Sequence, residues 1–169
     1  MIIRQETEAD YKAIYELNQQ AFGQDNESQL IEKIRSGNTF IPGLSIIAEL
    51  EGKIIGHILF SKIEIQGSST FPSLALAPMA VHPDFQKKGV GSRLVKQGLE
   101  VAKKLGFEHV IVLGHENYYP KFGFHNASNW NIQCPFEVPD NVFMAIELKE
   151  GSLEGKSGTV VYPSVFLEV

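Results

Sequence analysis

The heptapeptide Gln86-Lys87-Lys88-Gly89-Val90-Gly91-Ser92 sets two glycines and two lysines between an apolar run and an amphipathic one. Free N–H groups in the first turn of a helix point outward and the helix dipole adds partial positive charge, so such a bend can hold a diphosphate through its main chain. Glycine at 89 and 91 removes β-carbons that would keep phosphate oxygens off the backbone, and Lys87 and Lys88 add charge at the mouth. Spacing excludes two commoner glycine loops. A Walker loop needs Gly, four residues, then Gly-Lys-Ser/Thr, which the chain lacks. A dinucleotide fingerprint needs a third glycine where Leu94 stands. Other reactive types are scattered. His115-Glu116 has Tyr119 where a zincin needs its second histidine, so no metal is expected. Cys134, the single cysteine, precedes Pro135 with no histidine close by and reads as a buried inert thiol.

The elements that must position this bend follow from periodicity. Residues 1–5 read as a strand, and Thr7-Glu8-Ala9-Asp10 as a capping box opening a helix with Tyr11, Ile14, Tyr15, Ala21 and Phe22 at helical spacing. A second short helix carries Leu30, Ile31 and Ile34 and stops near Gly37. Residues 44–50 and 53–65 then form a hairpin around Glu51-Gly52. The fourth strand, 74–81, is apolar along nearly its whole length, as in a strand buried on both faces. Pro78 interrupts it with a residue that has no N–H for a ladder, which predicts a bulge or a splayed pair. Val90, Leu94, Val101, Ala102 and Leu105 mark a long helix, closed by Lys103, Lys104 and Gly106. A buried strand at 109–113, a helical turn near 117–121 and a strand pair ending with 143–148 follow. Residues 151–158 read as loop, and 159–166 as a last strand that Pro163 confines to an edge. One domain over residues 1–169 is expected, with its core in 1–148.

Downstream of the glycine bend stands Tyr118-Tyr119-Pro120-Lys121-Phe122-Gly123-Phe124. Q-x-x-G-x-G at a strand-to-helix junction, followed by this aromatic-Tyr-x-x-x-Gly-Phe segment, resembles the GNAT N-acetyltransferase superfamily. Gly114-His115 before the tyrosines and Val160-Val161-Tyr162-Pro163 near the end look closest to its YhbS-type members. The resemblance implies an α/β (α+β) fold: a mixed, mostly antiparallel sheet of about seven strands, splayed between strands four and five and flanked by about four helices. It implies acetyl-coenzyme A as cofactor, with Met79, Ala80 and Val81 of the fourth strand against pantetheine and Gln86 to Ser92 around the diphosphate. It makes Tyr119 the catalytic residue, its phenol near the cofactor sulfur, and leaves Tyr118 to core packing. The family's asparagine seven residues before that tyrosine is Val112 here, and Asn117 is the candidate to take over its contact.

The implied reaction is direct attack of a primary amine, on a small molecule, amino acid or protein, upon the thioester. An alkyl amine has a pKa of about 10.4, so a general base is expected; His57, Glu64, His82, His115 and Glu116 remain open candidates. The acceptor site is expected from Phe22 to Glu27 with the Tyr162 region, and Asp25 or Glu27 is the candidate for a cationic amine. A sensor that binds acetyl-coenzyme A without turnover would share the bend and differ at Tyr119. Composition narrows the setting. A formal net charge of −5 disfavours nucleic acid, no apolar run reaches membrane-spanning length, and the N-terminus lacks a signal pattern. The cytoplasm is the expected location, with no membrane partner, and a homodimer stays open.

Overall fold

Glu51 and Gly52 both take left-handed backbone conformations, φ 49° and 78°, which a two-residue hairpin turn requires. They join β2 (Phe40–Leu50) to β3 (Lys53–Gln66) in a computed structural model that describes residues 1–168. The remaining elements are β1 (Ile2–Gln5), α1 (Tyr11–Phe22), α2 (Asn26–Arg35), β4 (Thr70–Val81), α3 (Val90–Lys104), β5 (His109–Leu113), β6 (His125–Asn126), β7 (Ile132–Gln133), β8 (Phe143–Glu147) and β9 (Gly158–Val161). The sheet runs β1-β2-β3-β4-β5-β8-β6 and is antiparallel along this path except between β4 and β5. This is the mixed, mostly antiparallel arrangement that the resemblance implies.

Several details differ from the expectation. Among the described residues nine strands stand where about seven were expected, because β6 and β7 have two residues each and carry no periodic signal. The turn after Tyr118 is a 3-10 segment, Tyr119–Phe122, so the described residues hold three α-helices. The last strand is not an edge. β9 pairs with β3 through Glu64–Gln66 on one side and with β7 on the other, and ends before Pro163.

Side chains that alternate along the strands divide the core between two helical layers. Ile46, Ile58 and Phe60 face α3 and pack with Leu94 and Val95. Gly98 on α3 is required there, since the Phe60 ring fills the space a β-carbon would take. Ile47 and Leu59 face the other way, against Ile14, Leu30, Ile31 and Ile34 of α1 and α2.

A buried polar network fastens α2 to the second layer. Arg35 donates from Nε and Nη2 to Glu6 Oε2 and Oε1, at 2.9 and 2.8 Å. Ser45 Oγ donates to the same carboxylate and lies 2.8 Å from His57 Nε2. Because the serine proton goes to Glu6, His57 must donate from Nε2, which leaves Nδ1 as the bare nitrogen. That atom is buried without a partner among the described residues, and burial lowers the His57 pKa, so the ring is neutral. Burial pushes the Glu6 carboxyl up, but the contacts from His57, Arg35 and Ser45 outweigh it and hold the group at about 2, against an ordinary value of 4.5.

A depressed carboxylate stabilises the fold above its unfolded pKa and loses that contribution as pH falls through its folded one, so the window here is pH 4.5 down to about 2. The shift corresponds to about 3 kcal/mol. Urea unfolding of the wild type should therefore show stability falling from pH 5 to 3 more steeply than in Glu6→Gln; equal slopes would remove Glu6 from the acid response.

Candidate active site

β4 and β5 pair only at Leu74–Val110 and Ala75–Ile111, and beyond Ala75 they diverge. Pro78 lies just past that point and offers no N–H to either neighbour. The register against β3 also slips here: Ile58 opposes Met79 and Phe60 opposes Leu76, so Leu59 alone faces Ala77 and Pro78. Bulge and splay thus occur together, and the Ala77–Pro78 peptide is cis. Past the bulge, His82 N–H donates to Ile55 O at 2.8 Å. Strand alternation then turns the polar groups of Ala80 toward β3 and those of Met79 and Val81 toward the gap. Gln86 Nε2 reaches back to Val81 O at 3.1 Å, leaving the Met79 amide and the Val81 N–H facing open space.

The glycine bend borders this gap. Gly89 has φ 85° and Lys87 φ 61°, a doubly left-handed turn that feeds the chain into α3. The N–H groups of Gln86, Lys87, Lys88 and Gly89 have no backbone acceptor among the described residues, and the first helical bond runs from Arg93 N–H to Gly89 O. Those of Val90, Gly91 and Ser92 precede it and have no partner four residues back. A β-carbon at Gly91 would stand 2.9 Å from Tyr118 Oη and 3.6 Å from Met79 Cε, so Gly91 is needed for the close seat of Tyr118. At Gly89 the surroundings are open and φ is the reason for glycine.

Two tyrosines close the far wall. Tyr118 and Tyr119 meet edge to face at 5.1 Å, Tyr119 packs on Phe124 at 5.6 Å, and Lys121 Nζ lies 4.3 Å from the Tyr118 ring centre. Gly114 makes this possible, because the Tyr119 ring occupies the place its β-carbon would need. Burial, with Tyr118 adding to it, pushes the Tyr119 hydroxyl up to about 12. Together these elements enclose a cleft of about 920 Å³. Its lining takes Gly89, Val90 and Gly91 from the α3 side, and Phe22, Glu27 and Leu30 from the α1–α2 side. Since α3 and the α1–α2 pair cover opposite faces, the cleft passes through the sheet at the β4–β5 gap.

Known proteins resemble the chain in sequence and in fold. The model of the Acetyltransferase (GNAT) family matches residues 11–124. The chain belongs to the GNAT acetyltransferase family. It is 37% identical over 134 residues to the uncharacterized N-acetyltransferase YjhQ of Escherichia coli, covering 78% of this chain and 74% of that one. It is 30% identical over 166 residues to the uncharacterized N-acetyltransferase YhbS of the same organism, covering 98% of each. The crystal structure of YhbS in complex with CoA superposes with a TM-score of 0.91 at 28% identity, covering 98% of this chain and 91% of that chain. A GNAT acetyltransferase from Brucella melitensis in complex with acetyl-CoA gives 0.80 at 26% identity, covering 98% and 97%.

This GNAT acetyltransferase brings most of the residues singled out from sequence to one cleft. Met79, Val81, Gln86, Lys87, Gly89, Val90, Gly91, Ser92 and Tyr119 line it; Ala80, Lys88 and Asn117 do not. Ala80 is buried toward β3, Lys88 Nζ lies 5.6 Å from the Phe85 ring, and Asn117 is exposed. Of the five candidate bases only His115 lines the cleft. His57 is sealed in the Glu6 network, the His82 ring accepts from Asp84 N–H, and Glu64 and Glu116 are exposed outside the cleft. Tyr118, Lys121 and Phe166 line it as well. Phe166 escaped sequence reasoning because its 3-10 segment, Ser164–Leu167, lies far along the chain, although the neighbouring Tyr162 signalled the region. Cys134 is half-buried, and burial raises its thiol, which fits an inert side chain.

The position of Gly91 makes a direct prediction. Gly91→Val must displace Tyr118 from the helix start, and coenzyme A affinity measured by calorimetry should fall about tenfold or more, with each tenfold worth about 1.4 kcal/mol. Unchanged affinity in a folded variant would separate this turn from cofactor binding.

Proposed function

We propose that this chain is an acetyl-CoA-dependent N-acetyltransferase, acting as a single cytoplasmic domain on a primary amine by direct attack with both substrates bound. The observation that carries the reading is the pairing of unpartnered amides at residues 86–89 with an unpaired β4 edge at Met79 and Val81 beside one open gap. This arrangement fits coenzyme A: the bend and Lys87 would hold the diphosphate, and the β4 edge would pair with the amides of the pantetheine arm. Lys88 and Asn117, which do not line the cleft, have no direct contact in this assignment, and the buried Ala80 would support the strand. When bound, the cofactor supplies an acetyl group activated as a thioester.

The chain's own residues then divide the work. Met79 N–H, facing the gap, donates to the carbonyl oxygen as charge builds there. His115 takes a proton from the incoming ammonium at a ring nitrogen, as the one candidate base in the cleft. The amine nitrogen gains the acetyl carbon as the carbon–sulfur bond breaks; of the two protons it loses, one goes to His115 and the other ends on sulfur. Tyr119 holds that departing sulfur by a hydrogen bond from Oη. With its hydroxyl at about 12 and a thiol near 8.5, outright transfer from the phenol is uphill, so Tyr119 stays protonated and acts as a donor. An acetyl-CoA sensor is the competing reading, and the presence of both Tyr119 and His115 at the cleft favours catalysis over it.

A phenol with a raised pKa keeps its proton until pH passes about 12. Tyr119→Phe should therefore lower kcat about 10- to 100-fold by a constant factor from pH 7 to 10, with coenzyme A affinity retained. His115→Ala should lower kcat by a similar factor. If the wild type lost its advantage over Tyr119→Phe within that window, a neutral phenol donor would be ruled out.

A further inference from the structure

On the α1–α2 side the cleft is walled by Phe22, Leu30 and Phe166, and among the described residues Glu27 is the one acidic side chain that lines it. The other charged side chains in the lining, Lys87 and Lys121, are cationic and belong to the opposite wall. The Glu27 carboxylate accepts only from Gln24 Nε2, at 3.0 and 3.2 Å, and no cationic side chain among the described residues lies within ion-pair distance of it. Asp25, the other acid of that loop, is tied to Gln19 Nε2 at 2.7 Å and does not line the cleft.

The apolar wall continues outward. Phe166 leans on Tyr162 at 5.1 Å, and Tyr162 stacks on Phe136 at 5.8 Å with the planes 18° apart. Phe136 is 42% exposed and Phe22 41%, so an aromatic ramp leads from the surface to the cleft. Burial pushes the Tyr162 hydroxyl far up, in keeping with a dry setting. Large exposed aromatic faces beside one unpaired carboxylate match a ligand with a flat apolar body and a single positive charge.

Resting on the acetyltransferase reading above, we infer that the acceptor is a small primary amine carried on an aromatic or apolar group, its ammonium received at Glu27 and its apolar body against Phe22, Leu30 and Phe166. A polyamine finds no second acidic side chain in the lining among the described residues and meets Lys87 and Lys121 instead. Among the described residues, a sugar amine finds no polar side chain in the lining of this wall besides Glu27 for its hydroxyls.

The test uses the full chain saturated with coenzyme A and 2-phenylethylamine as probe, with binding read by calorimetry and transfer by thiol release from acetyl-CoA. Spermidine, glucosamine and a peptide with a free N-terminus serve as comparison amines. The expected result is a kcat/KM for 2-phenylethylamine at least tenfold above each of these. Glu27→Gln and, separately, Phe166→Ala should weaken 2-phenylethylamine binding about tenfold, through KM rather than kcat, with coenzyme A affinity unchanged. Preference for spermidine, glucosamine or the peptide, or binding indifferent to Glu27→Gln, would overturn the inference. Glu27-dependent binding of 2-phenylethylamine without transfer to any amine would uphold the site and overturn the enzyme reading instead.

Discussion

The structure turns on an interruption in hydrogen bonding between two parallel strands. β4 and β5 share two residue pairs and then separate where Pro78 withholds its N–H and a bulge takes up one extra β4 residue. A continuous ladder would have used the polar groups of Met79 and Val81 internally; the split leaves them facing a gap. It also opens a path through the sheet, so that groups held on the α3 face and groups held on the α1–α2 face meet in one cleft. Glycine is used sparingly to line that path. Gly114 admits the Tyr119 ring, Gly91 admits the Tyr118 hydroxyl, and Gly89 supplies the left-handed turn into α3.

Around this opening the rest of the fold is closed tightly. The Phe60 ring seated on Gly98 locks α3 to one face, and the Arg35–Glu6–Ser45–His57 network locks α2 to the other. Breaking one partner of a buried charged pair leaves the other uncompensated, which makes such a network a strong determinant of where α2 sits. That matters for function because Glu27 and Leu30 stand on α2 at the cleft. The polar network and the proposed acceptor wall therefore share one helix.

Much of this was legible in the sequence. α3 and β5 follow directly from unbroken periodicity, Pro78 announces the broken ladder, and the glycine bend announces an anion site at a helix start. What was hidden depends on contacts between distant segments. His57 reads as a candidate base because alternation puts it on a strand, but only the packed structure shows that it points into the Glu6 network. The first residues of β4, where Pro72 and Ser73 interrupt the apolar run, are strand because β3 extends to pair with them. Phe166 reaches the cleft because β9 is gripped by both β3 and β7 and carries the C-terminal segment back across α2, and local propensity holds no record of that path. Asp25, a plausible cap or amine site by residue type, instead binds Gln19.

The central claim is that main-chain amides at the bend and along the split β4 edge hold coenzyme A. Amide chemical shifts followed by NMR as coenzyme A is titrated into the protein test it most directly. The account predicts the largest changes at Lys88, Gly89, Val90, Gly91 and Ser92, with Met79 and Val81 moving in the same titration. Saturable binding that left these amides unmoved and shifted a surface elsewhere would contradict it.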